Sequence, residues 1–323
     1  MIEILSSGLM NSVQDLGRPG YLDQGIGRGG AMDAEALRIG NLMVGNPQDA
    51  AGIEISIFPF RLRFHARCQF AVTGAVTKTS LNDTVLPPWW SETAEAGDEL
   101  RIDPPRDGAR IYVCFSGGID LPLVLGSRAT DLKSVFGGLE GRTLARGDRL
   151  SLGAVDSVLP RSPAGFGVDP MQFRVDAHVL HFMPGAEFQA FTGQARQTLM
   201  SAAWKVSKEN NRQGMRLEGH TLSLAGKLEL LSHGIMPGTI QVPPSGQPVI
   251  QLAEANTCGG YPKIGHVIEP DLWKLAQVST GAQFSFREIT RTAAVEAIRT
   301  RELDISRLRN LLPIAQKTLL KAG

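Results

Sequence analysis

Apolar and polar residues alternate in many short runs along this chain, and clusters of turn residues separate the runs. A period-two pattern of this kind is typical of β-strands with one buried face. The runs that predict strands are Phe60–Phe64, Gln69–Val72, Glu99–Ile102, Ile111–Phe115, Val179–Phe182, Thr221–Leu224, Lys227–Leu231, Thr239–Val242, Val249–Leu252 and Gln283–Phe286. Turn signals recur about every ten residues, which favours barrels or sandwiches of short strands over a parallel α/β sheet.

Few segments show helical periodicity. Asp33 is expected to cap a helix that stops at Gly45. Pro270–Ala276 predicts a helical turn, and Thr292–Arg301 predicts an amphipathic helix followed by a second turn around Leu308. The sequence therefore predicts a mainly β protein with a few short helices.

A glycine turn recurs and a proline-rich segment interrupts the pattern. A glycine turn is followed directly by an alternating strand pattern in three segments, Ala96–Leu100, Arg146–Leu150 and Thr280–Phe284. This recurrence indicates related β units. The stretch Ala154–Pro170 holds three prolines and little periodicity. We place the domain boundary there, with an N-terminal domain over residues 1–160 and a C-terminal domain over residues 161–323.

Charge and cysteine usage exclude several classes of function. Lys plus Arg number 33 and Asp plus Glu number 32, without a long run of one sign, which argues against nucleic-acid and membrane partners. No apolar run approaches the roughly 18 residues that span a bilayer, and the start lacks a secretory pattern. Cys68, Cys114 and Cys258 are widely spaced, as expected of reduced thiols in a cytoplasmic protein. Cys258 is expected to be a small buried thiol because no His adjoins it.

The segment Pro237–Asp271 carries the strongest signal for a site. Ile240 and Val242 flank Gln241, so the amide of Gln241 is expected to face the opposite side of its strand. The pair Gly259–Gly260 leaves room for a close approach to the backbone. We favour a functional site in this segment over a purely structural hairpin that carries polar side chains.

Two other polar clusters leave alternatives open. One cluster consists of Asp15, Arg18 and Arg28, which lie among glycines. Such a loop can present an arginine to a carboxylate or phosphate. Alternatively, internal Asp–Arg pairs hold a long loop in place. Asn211 and Arg212 precede a glycine, which suits either a site or a hairpin turn with a solvated arginine.

Nucleotide and metal motifs are weak. The GxGxxG match at residues 25–30 lacks the preceding strand that a dinucleotide site requires, and no GxxxxGK[ST] phosphate loop occurs. His178 and His181 lie three apart in a predicted strand and face opposite sides, so they cannot share a metal. No metal site is expected.

Longer phrases resemble a known family. They are SVQDLGRPGY (Ser12–Tyr21), GIGRGGAMD (Gly25–Asp33), LGSRAT (Leu125–Thr130), GGLEGRTLARGDRL (Gly137–Leu150), NNRQGMRLEG (Asn210–Gly219) and GTIQVPPSGQPVIQLAEANTCGGYPKIGHVIEPDL (Gly238–Leu272). Together they resemble the biotin-dependent carboxyltransferase family, which includes the C subunit of 5-oxoprolinase, allophanate hydrolase subunit 2 and part of urea carboxylase. Glu254 replaces the usual Asp of this family, and Asn256–Cys258 replaces its Gln-Thr-Thr.

The resemblance implies a fold of two cyclophilin-like β-barrel subdomains. We expect Arg212, Gln241 and Glu254 to be catalytic and to line one pocket in the second barrel. The residues expected to bind substrate are Asn211, Gly259, Gly260, Tyr261 and Lys263, with Asp15, Arg18 and Arg28 from the N-terminal loop.

The resemblance leaves three functions in competition. The favoured one is the C subunit of an ATP-dependent 5-oxoprolinase, which acts on a small cyclic amide in a heteromer with a subunit 1 homologue. The second is a carboxyltransferase subunit that moves CO2 to urea or a related amide from carboxybiotin held on another chain. The third is a regulatory binding protein without catalysis.

Overall fold

The computed structural model describes residues 1–155, 165–170, 174 and 177–322. The chain divides into two compact units, the first made of Met1–Arg18, Asp33–Phe173 and Leu303–Gly323 and the second of Pro19–Met32 and Arg174–Glu302. The predicted domain boundary between residues 160 and 161 lies outside the described residues. Within the described part of the chain, no helix has the length and apolar character needed to cross a membrane.

The first unit is built from two six-stranded sheets. Its strands are β1 (Ile2–Ser6), β2 (Ser12–Gln14), β3 (Gly52–Ile55), β4 (Phe60–Phe64), β5 (Cys68–Val76), β6 (Thr79–Leu81), β7 (Thr84–Leu86), β8 (Trp90–Ala94), β9 (Glu99–Ile102), β10 (Asp107–Phe115), β11 (Arg149–Leu150) and β12 (Phe166–Gly167). The strand orders are β11-β1-β4-β9-β6-β7 and β12-β8-β5-β10-β3-β2. Neighbouring strands run antiparallel in both sheets.

Alternation along the strands produces the core of the first unit. In β4 the side chains of Phe60 and Phe64 are fully buried, whereas Arg61 between them is exposed. The ring of Phe64 packs against Phe70 of β5 and Phe115 of β10, with centroids 5.2 and 6.2 Å apart. Residues of both sheets therefore share one apolar core, as the period-two pattern predicts.

The second unit contains a closed barrel. Its strands are β13 (Val179–Pro184), β14 (Trp204–Val206), β15 (Gly214–Glu218), β16 (His233–Gly234), β17 (Thr239–Gln241), β18 (Val249–Gln251), β19 (Cys258–Gly259), β20 (Lys263–Val267) and β21 (Gln283–Glu288). The barrel order is β13-β20-β17-β18-β15-β14-β21, and β16 pairs with β19 as a separate two-stranded ribbon. Phe182, Trp204 and Phe286 fill the interior. The prediction of a mainly β fold is confirmed.

Four α-helices accompany these strands in the described residues, namely α1 (Ala34–Met43), α2 (Gly193–Ser201), α3 (Leu272–Gln277) and α4 (Arg291–Ala322). The predicted cap of α1 is confirmed, because the Asp33 carboxylate accepts a hydrogen bond from the Ala36 N–H at 3.0 Å. The prediction of a separate turn around Leu308 is wrong. That residue belongs to α4, one continuous helix of 32 residues.

Two predicted strands are absent from the described barrel unit. Leu224 of the run Thr221–Leu224 makes an isolated bridge with Phe191, and Lys227–Leu231 forms no ladder. Alternation is present in both runs, but a strand also requires a partner backbone at hydrogen-bonding distance. All positions of the closed barrel are taken by other strands, so these runs lie outside it.

The recurring glycine turn has the same geometry at two positions in the first unit. Gly97 and Gly147 have φ values of 95° and 91°, which a side chain would disfavour. After each glycine, an aspartate accepts a hydrogen bond from the backbone three residues earlier: Asp98 from Glu95 N and Asp148 from Ala145 N, both at 2.8 Å. The repeated phrase therefore encodes one turn used twice.

Candidate functional site

Gln241 and Lys263 lie side by side because an irregularity in β20 sets their register. Ile240 pairs with Gly265 and Gln241 pairs with Lys263, so Ile264 is an extra residue on β20. A bulge of this kind redirects side chains and is frequent next to active sites. Ile264 is fully buried in the apolar core, whereas the neighbouring Lys263 reaches polar groups.

The amine of Lys263 is buried and held by two groups. Its side chain is 5% exposed. The Nζ atom donates to the Gly259 carbonyl at 2.7 Å and lies 3.2 Å from His233 Nδ1. Burial lowers the pKa of Lys263, and the carboxylate of Glu187 opposes this effect. An amine with a lowered pKa, inside a polar cluster, is a candidate proton donor or acceptor.

His233 and Glu187 complete this cluster, and no sequence pattern pointed to either residue. The pairing of β16 with β19 places His233 opposite Gly259. Glu187 accepts a hydrogen bond from the Lys263 N–H at 2.8 Å and has its other oxygen 3.7 Å from His233 Nε2. These contacts join residues that lie 30 and 76 positions from Lys263. Only strand pairing could have revealed them.

The side chain of Gln241 is fixed within the same cluster. Gln251 of β18 donates from Nε2 to Gln241 Oε1 at 2.9 Å, and Gln241 Nε2 lies 3.5 Å from the Tyr261 carbonyl. A Cβ atom placed on Gly259 would be 2.5 Å from Gln241 Nε2. The absence of a side chain at Gly259 therefore gives Gln241 its space, which is the close approach expected of this glycine pair.

A second polar feature is the buried ion pair of Arg212 and Glu254. The Nε atom of Arg212 is 2.5 Å from Glu254 Oε1, and both side chains are 4% exposed. Arg212 Nη2 donates to the Gly30 carbonyl at 2.6 Å. The alternative of a solvated arginine is wrong, because Arg212 has charged and backbone partners inside the unit. Asn211 remains at the surface and accepts from the Gly214 N–H, as a turn residue does.

The two features are connected through neighbouring strands. Gly214, which lies two residues after Arg212 and begins β15, pairs with Gln251 of β18, and Gln251 in turn binds Gln241. Gln241, Gly259, Tyr261 and Lys263 thus belong to one cluster, beside a separate contact between Arg212 and Glu254. The single pocket expected for all of them stays a prediction.

Two residues of the predicted N-terminal loop are structural braces in the first unit. Asp15 accepts hydrogen bonds from Ser127 Oγ at 2.7 Å and from Arg128 N at 2.5 Å. Arg18 is fully buried, donates to the Ala129 carbonyl and stacks on the ring of Phe136. Asp15 and Arg18 are thus held by contacts to residues 127–136. Their role in substrate binding stays a prediction.

Arg28 and the adjoining glycines belong to the second unit. The Gly29 N–H donates to the Ala253 carbonyl at 3.2 Å, and a Cβ on Gly27 would lie 3.2 Å from the Ala255 carbonyl. This loop is therefore bonded to Ala253 and passes close to Ala255 on the other side of Glu254, while the Arg28 side chain is exposed.

The cysteines occupy two environments. Cys68 and Cys114 are buried, and burial raises the pKa of both thiols. Cys258 is exposed on β19, so its expected burial is wrong. The short ribbon of β16 and β19 lies apart from the barrel ladder and leaves this position open to solvent. Among the described side chains, no group of three or more His, Cys, Asp or Glu residues could hold a metal ion.

Comparison with known proteins agrees with this architecture. The sequence matches the carboxyltransferase domain, subdomain A and B, over residues 24–288. The chain belongs to this family. It is 38% identical to the C subunit of 5-oxoprolinase from Escherichia coli K12 over 92% of this chain and 94% of that protein. The corresponding 5-oxoprolinase subunit from Haemophilus influenzae is 38% identical over 97% of this chain and 99% of that protein.

A solved structure extends the likeness to a larger enzyme. The urea amidolyase of K. lactis superposes with a TM-score of 0.87 and 28% identity over 95% of this chain, which corresponds to 20% of that chain. The resemblance predicted from the sequence phrases is confirmed. The relatives of this chain are subunits or portions of enzymes.

Proposed function

We propose that this chain is the C-type subunit of a 5-oxoprolinase-type enzyme that opens a small cyclic amide with hydrolysis of ATP. The observation that carries the proposal is the end-to-end match with the C subunits of two 5-oxoprolinases, which covers 94% and 99% of their lengths. The urea amidolyase structure, in contrast, is matched over only 20% of its length.

The cluster around Lys263 suits a cyclic amide. Such a substrate presents a carbonyl oxygen, which accepts hydrogen bonds, next to an N–H group, which donates one. The Lys263 amine donates to the carbonyl oxygen, and the amide of Gln241 pairs with the substrate amide. Gln251 orients Gln241 through its own amide group, so the recognition element is held before substrate arrives.

The buried ion pair is assigned to a carboxylate on the substrate. Glu254 and the Gly30 carbonyl fix the guanidinium plane of Arg212. A planar guanidinium in a fixed orientation suits recognition of a carboxylate by two parallel hydrogen bonds. Asn211, Gly260 and Tyr261 border this region in the proposal, and Arg28 approaches from the loop that is anchored beside Glu254.

ATP and the remaining catalytic groups enter through partner subunits. The two bacterial relatives are each named as one subunit of 5-oxoprolinase, which implies that the whole enzyme contains others. This sequence has no GxxxxGK[ST] phosphate loop. We therefore assign nucleotide binding to the complex, in which a subunit 1 homologue pairs with this chain.

The test is reconstitution of the complex. The full chain is captured from its native cell with the subunits that accompany it, and ATP hydrolysis is measured with 5-oxoproline. Turnover is expected from the complex and not from the isolated chain. Lys263→Met should abolish turnover, whereas Lys227→Met, at a side chain that is 87% exposed, should leave it intact. Full activity of the isolated chain would contradict the proposal.

A carboxyltransferase function is the second candidate, and the TM-score of 0.87 to urea amidolyase favours it. The ureido ring of biotin also presents a carbonyl oxygen and N–H groups, so Gln241 and Lys263 fit it chemically. Urea-dependent ATP hydrolysis that avidin blocks would support this candidate over the first. Binding of partner subunits without turnover in either assay would support a non-catalytic regulator.

A further inference from the structure

We propose that Glu187, His233 and Lys263 form a proton relay, in which His233 exchanges a proton with the Lys263 amine and Glu187 positions the imidazole. This inference deepens the proposed function and rests on it for the identity of the reaction. The relay itself is argued from the contacts of three side chains on three different segments of the second unit.

The two contacts of His233 Nδ1 require opposite protonation states of this atom. Nδ1 lies 3.2 Å from Lys263 Nζ and 3.2 Å from the Leu231 carbonyl oxygen. Without a proton, Nδ1 accepts a hydrogen bond from the Lys263 ammonium. With a proton, Nδ1 donates to the Leu231 carbonyl, and Lys263 is left as a neutral amine. The geometry therefore accommodates both states of the pair without movement of the chain.

Glu187 lies beside both partners of the relay. In the second state the proton of Lys263 has moved to Nδ1, so an imidazolium replaces an ammonium and the net charge is unchanged. The Nε2 atom of His233 lies 3.7 Å from Glu187 Oε1, an ion-pair distance. Glu187 also fixes the lysine backbone through its other oxygen, so one side chain orients both partners.

The difference in solvent exposure between Lys263 and His233 sets the direction of proton transfer. Lys263 is 5% exposed, whereas the His233 side chain is 44% exposed. The imidazole is therefore the more exposed of the two groups to solvent. Two other titratable groups lie on the adjoining segment, Cys258 on β19 and Tyr261, and both are exposed. His233 is the group that links Lys263 to bulk water.

The relay supplies a proton that the reaction requires. In the hydrolysis of a cyclic amide, water adds to the carbonyl carbon and loses a proton. The C–N bond then breaks, its electron pair stays on nitrogen, and this nitrogen takes up a proton. The Lys263 ammonium donates it and becomes an amine. Neutral His233 then takes a proton from water, becomes an imidazolium and passes a proton to the Lys263 amine, so both groups return to their starting states. Burial of Lys263, which lowers its pKa, makes the ammonium a better donor than an exposed lysine.

Competitive labelling of the full chain tests the relay without any assumption about substrate. Lysines are acetylated with trace acetic anhydride between pH 6 and 11, and the labelling of Lys263 and Lys227 is followed by mass spectrometry. Lys263 should label with a lower midpoint than the exposed Lys227. Glu187→Gln should lower the Lys263 midpoint further, by up to about one pH unit, or tenfold in rate at fixed pH. Glu229→Gln, at an exposed carboxylate, is the matched control.

Chemical rescue tests the relay in the assembled complex. His233→Ala should lower kcat at least about tenfold, the size of effect that loss of proton transfer produces, with KM changed less than twofold. Added imidazole should restore turnover in proportion to its concentration, because the site of His233 is open to solvent. His220→Ala, at another exposed histidine, should show neither effect.

The two assays separate the possible failures. Equal midpoints for Lys263 and Lys227, unchanged in Glu187→Gln, would overturn the relay whatever the reaction is. A loss of kcat in His233→Ala that imidazole does not restore would also overturn it. Absence of 5-oxoproline turnover in the wild-type complex, with the labelling result as expected, would reject the proposed reaction and leave the coupling of the three residues supported.

Discussion

Arg212 and Glu254 form a buried ion pair across 42 residues of sequence, with 2.5 Å between Arg212 Nε and Glu254 Oε1. The Glu254 N–H also donates to the Arg212 carbonyl at 2.9 Å. The backbone bond and the side-chain bond together fix the segment before β15 against the segment after β18. Because both charges are withdrawn from water, each depends on the other for compensation.

Breaking this pair from one side should be costly. Arg212→Met or Glu254→Leu should each lower the free energy of unfolding by about 3–5 kcal/mol, since one buried charge loses its partner. The double variant Arg212→Met/Glu254→Leu should recover much of that loss, because no unpaired charge remains. Urea unfolding followed by circular dichroism measures all four proteins. Additive losses in the double variant would show that the pair is not the source of the effect.

A side chain at Gly259 should disturb the site more than the fold. The Cβ of Gly259→Ala would lie 2.5 Å from Gln241 Nε2, so the Gln241 amide must move. Because the displaced atom ends a side chain, we expect a stability loss of about 1–3 kcal/mol. Turnover of the assembled complex should fall much further than this loss explains.

Gly226→Ala provides the matched control for Gly259, because nothing lies within 4 Å of the added methyl group. This variant should keep both its melting temperature and its turnover. Wild-type turnover in Gly259→Ala would mean that the position of Gln241 is unimportant for the reaction.

Local sequence information predicts those parts of the fold that depend on local contacts. The run Phe60–Phe64 became β4 and Glu99–Ile102 became β9, because alternation there coincides with pairing between the two strands. Asp33 caps α1 through a bond to a residue three positions away. The run Lys227–Leu231 has similar alternation but no ladder. This run stays outside the barrel because other strands close it. A period-two pattern carries no information about which strands pair.

The same limit explains which residues of the site were predicted and which were missed. Gln241 could be proposed as a candidate because it is a polar residue between apolar neighbours near a glycine pair, and Lys263 could be proposed from the resemblance to the family. Glu187 and His233 could not, because they reach Lys263 through barrel closure and the β16–β19 ribbon. The burial of Arg18 could not be predicted for a related reason, because the residues that bury it lie more than 100 positions away in the sequence.

Asp148 should make the stability of the first unit depend on pH. Burial raises the pKa of this carboxyl, but the hydrogen bonds from Arg142 and the Ala145 N–H outweigh it, and the pKa is lowered. A carboxyl whose pKa is lowered in the folded state stabilises the protein above the unfolded value of about 3.9, and this stabilisation is lost as pH falls through the folded value.

Asp148→Asn should therefore lower the free energy of unfolding at pH 7 by about 1 kcal/mol, a modest value because Arg142 is partly exposed. The difference from wild type should shrink as the pH falls below about 4. Asp120→Asn, at a more exposed carboxylate, serves as control. A constant difference from pH 7 to pH 3 would assign the effect to the turn geometry and not to the charge.

The last prediction concerns Arg28. Its loop is anchored by the Gly29 bond to Ala253, one residue from Glu254, while its own side chain is exposed. Replacement by alanine should therefore change stability by only about 0–1 kcal/mol, as for other exposed charges. If the loop closes over substrate or faces a partner subunit, turnover of the assembled complex should nevertheless fall in Arg28→Ala.

Two controls separate these roles. Arg216→Ala removes an arginine that is 57% exposed on β15 and paired with Glu209, and it should alter neither property. Arg28→Lys keeps the charge and loses the planar guanidinium, so partial activity in this variant would indicate bidentate recognition. Melting temperature is read by differential scanning fluorimetry and turnover by ATP hydrolysis in the complex. Wild-type turnover in Arg28→Ala would remove the loop from the site and leave its anchoring to Ala253 as its whole role.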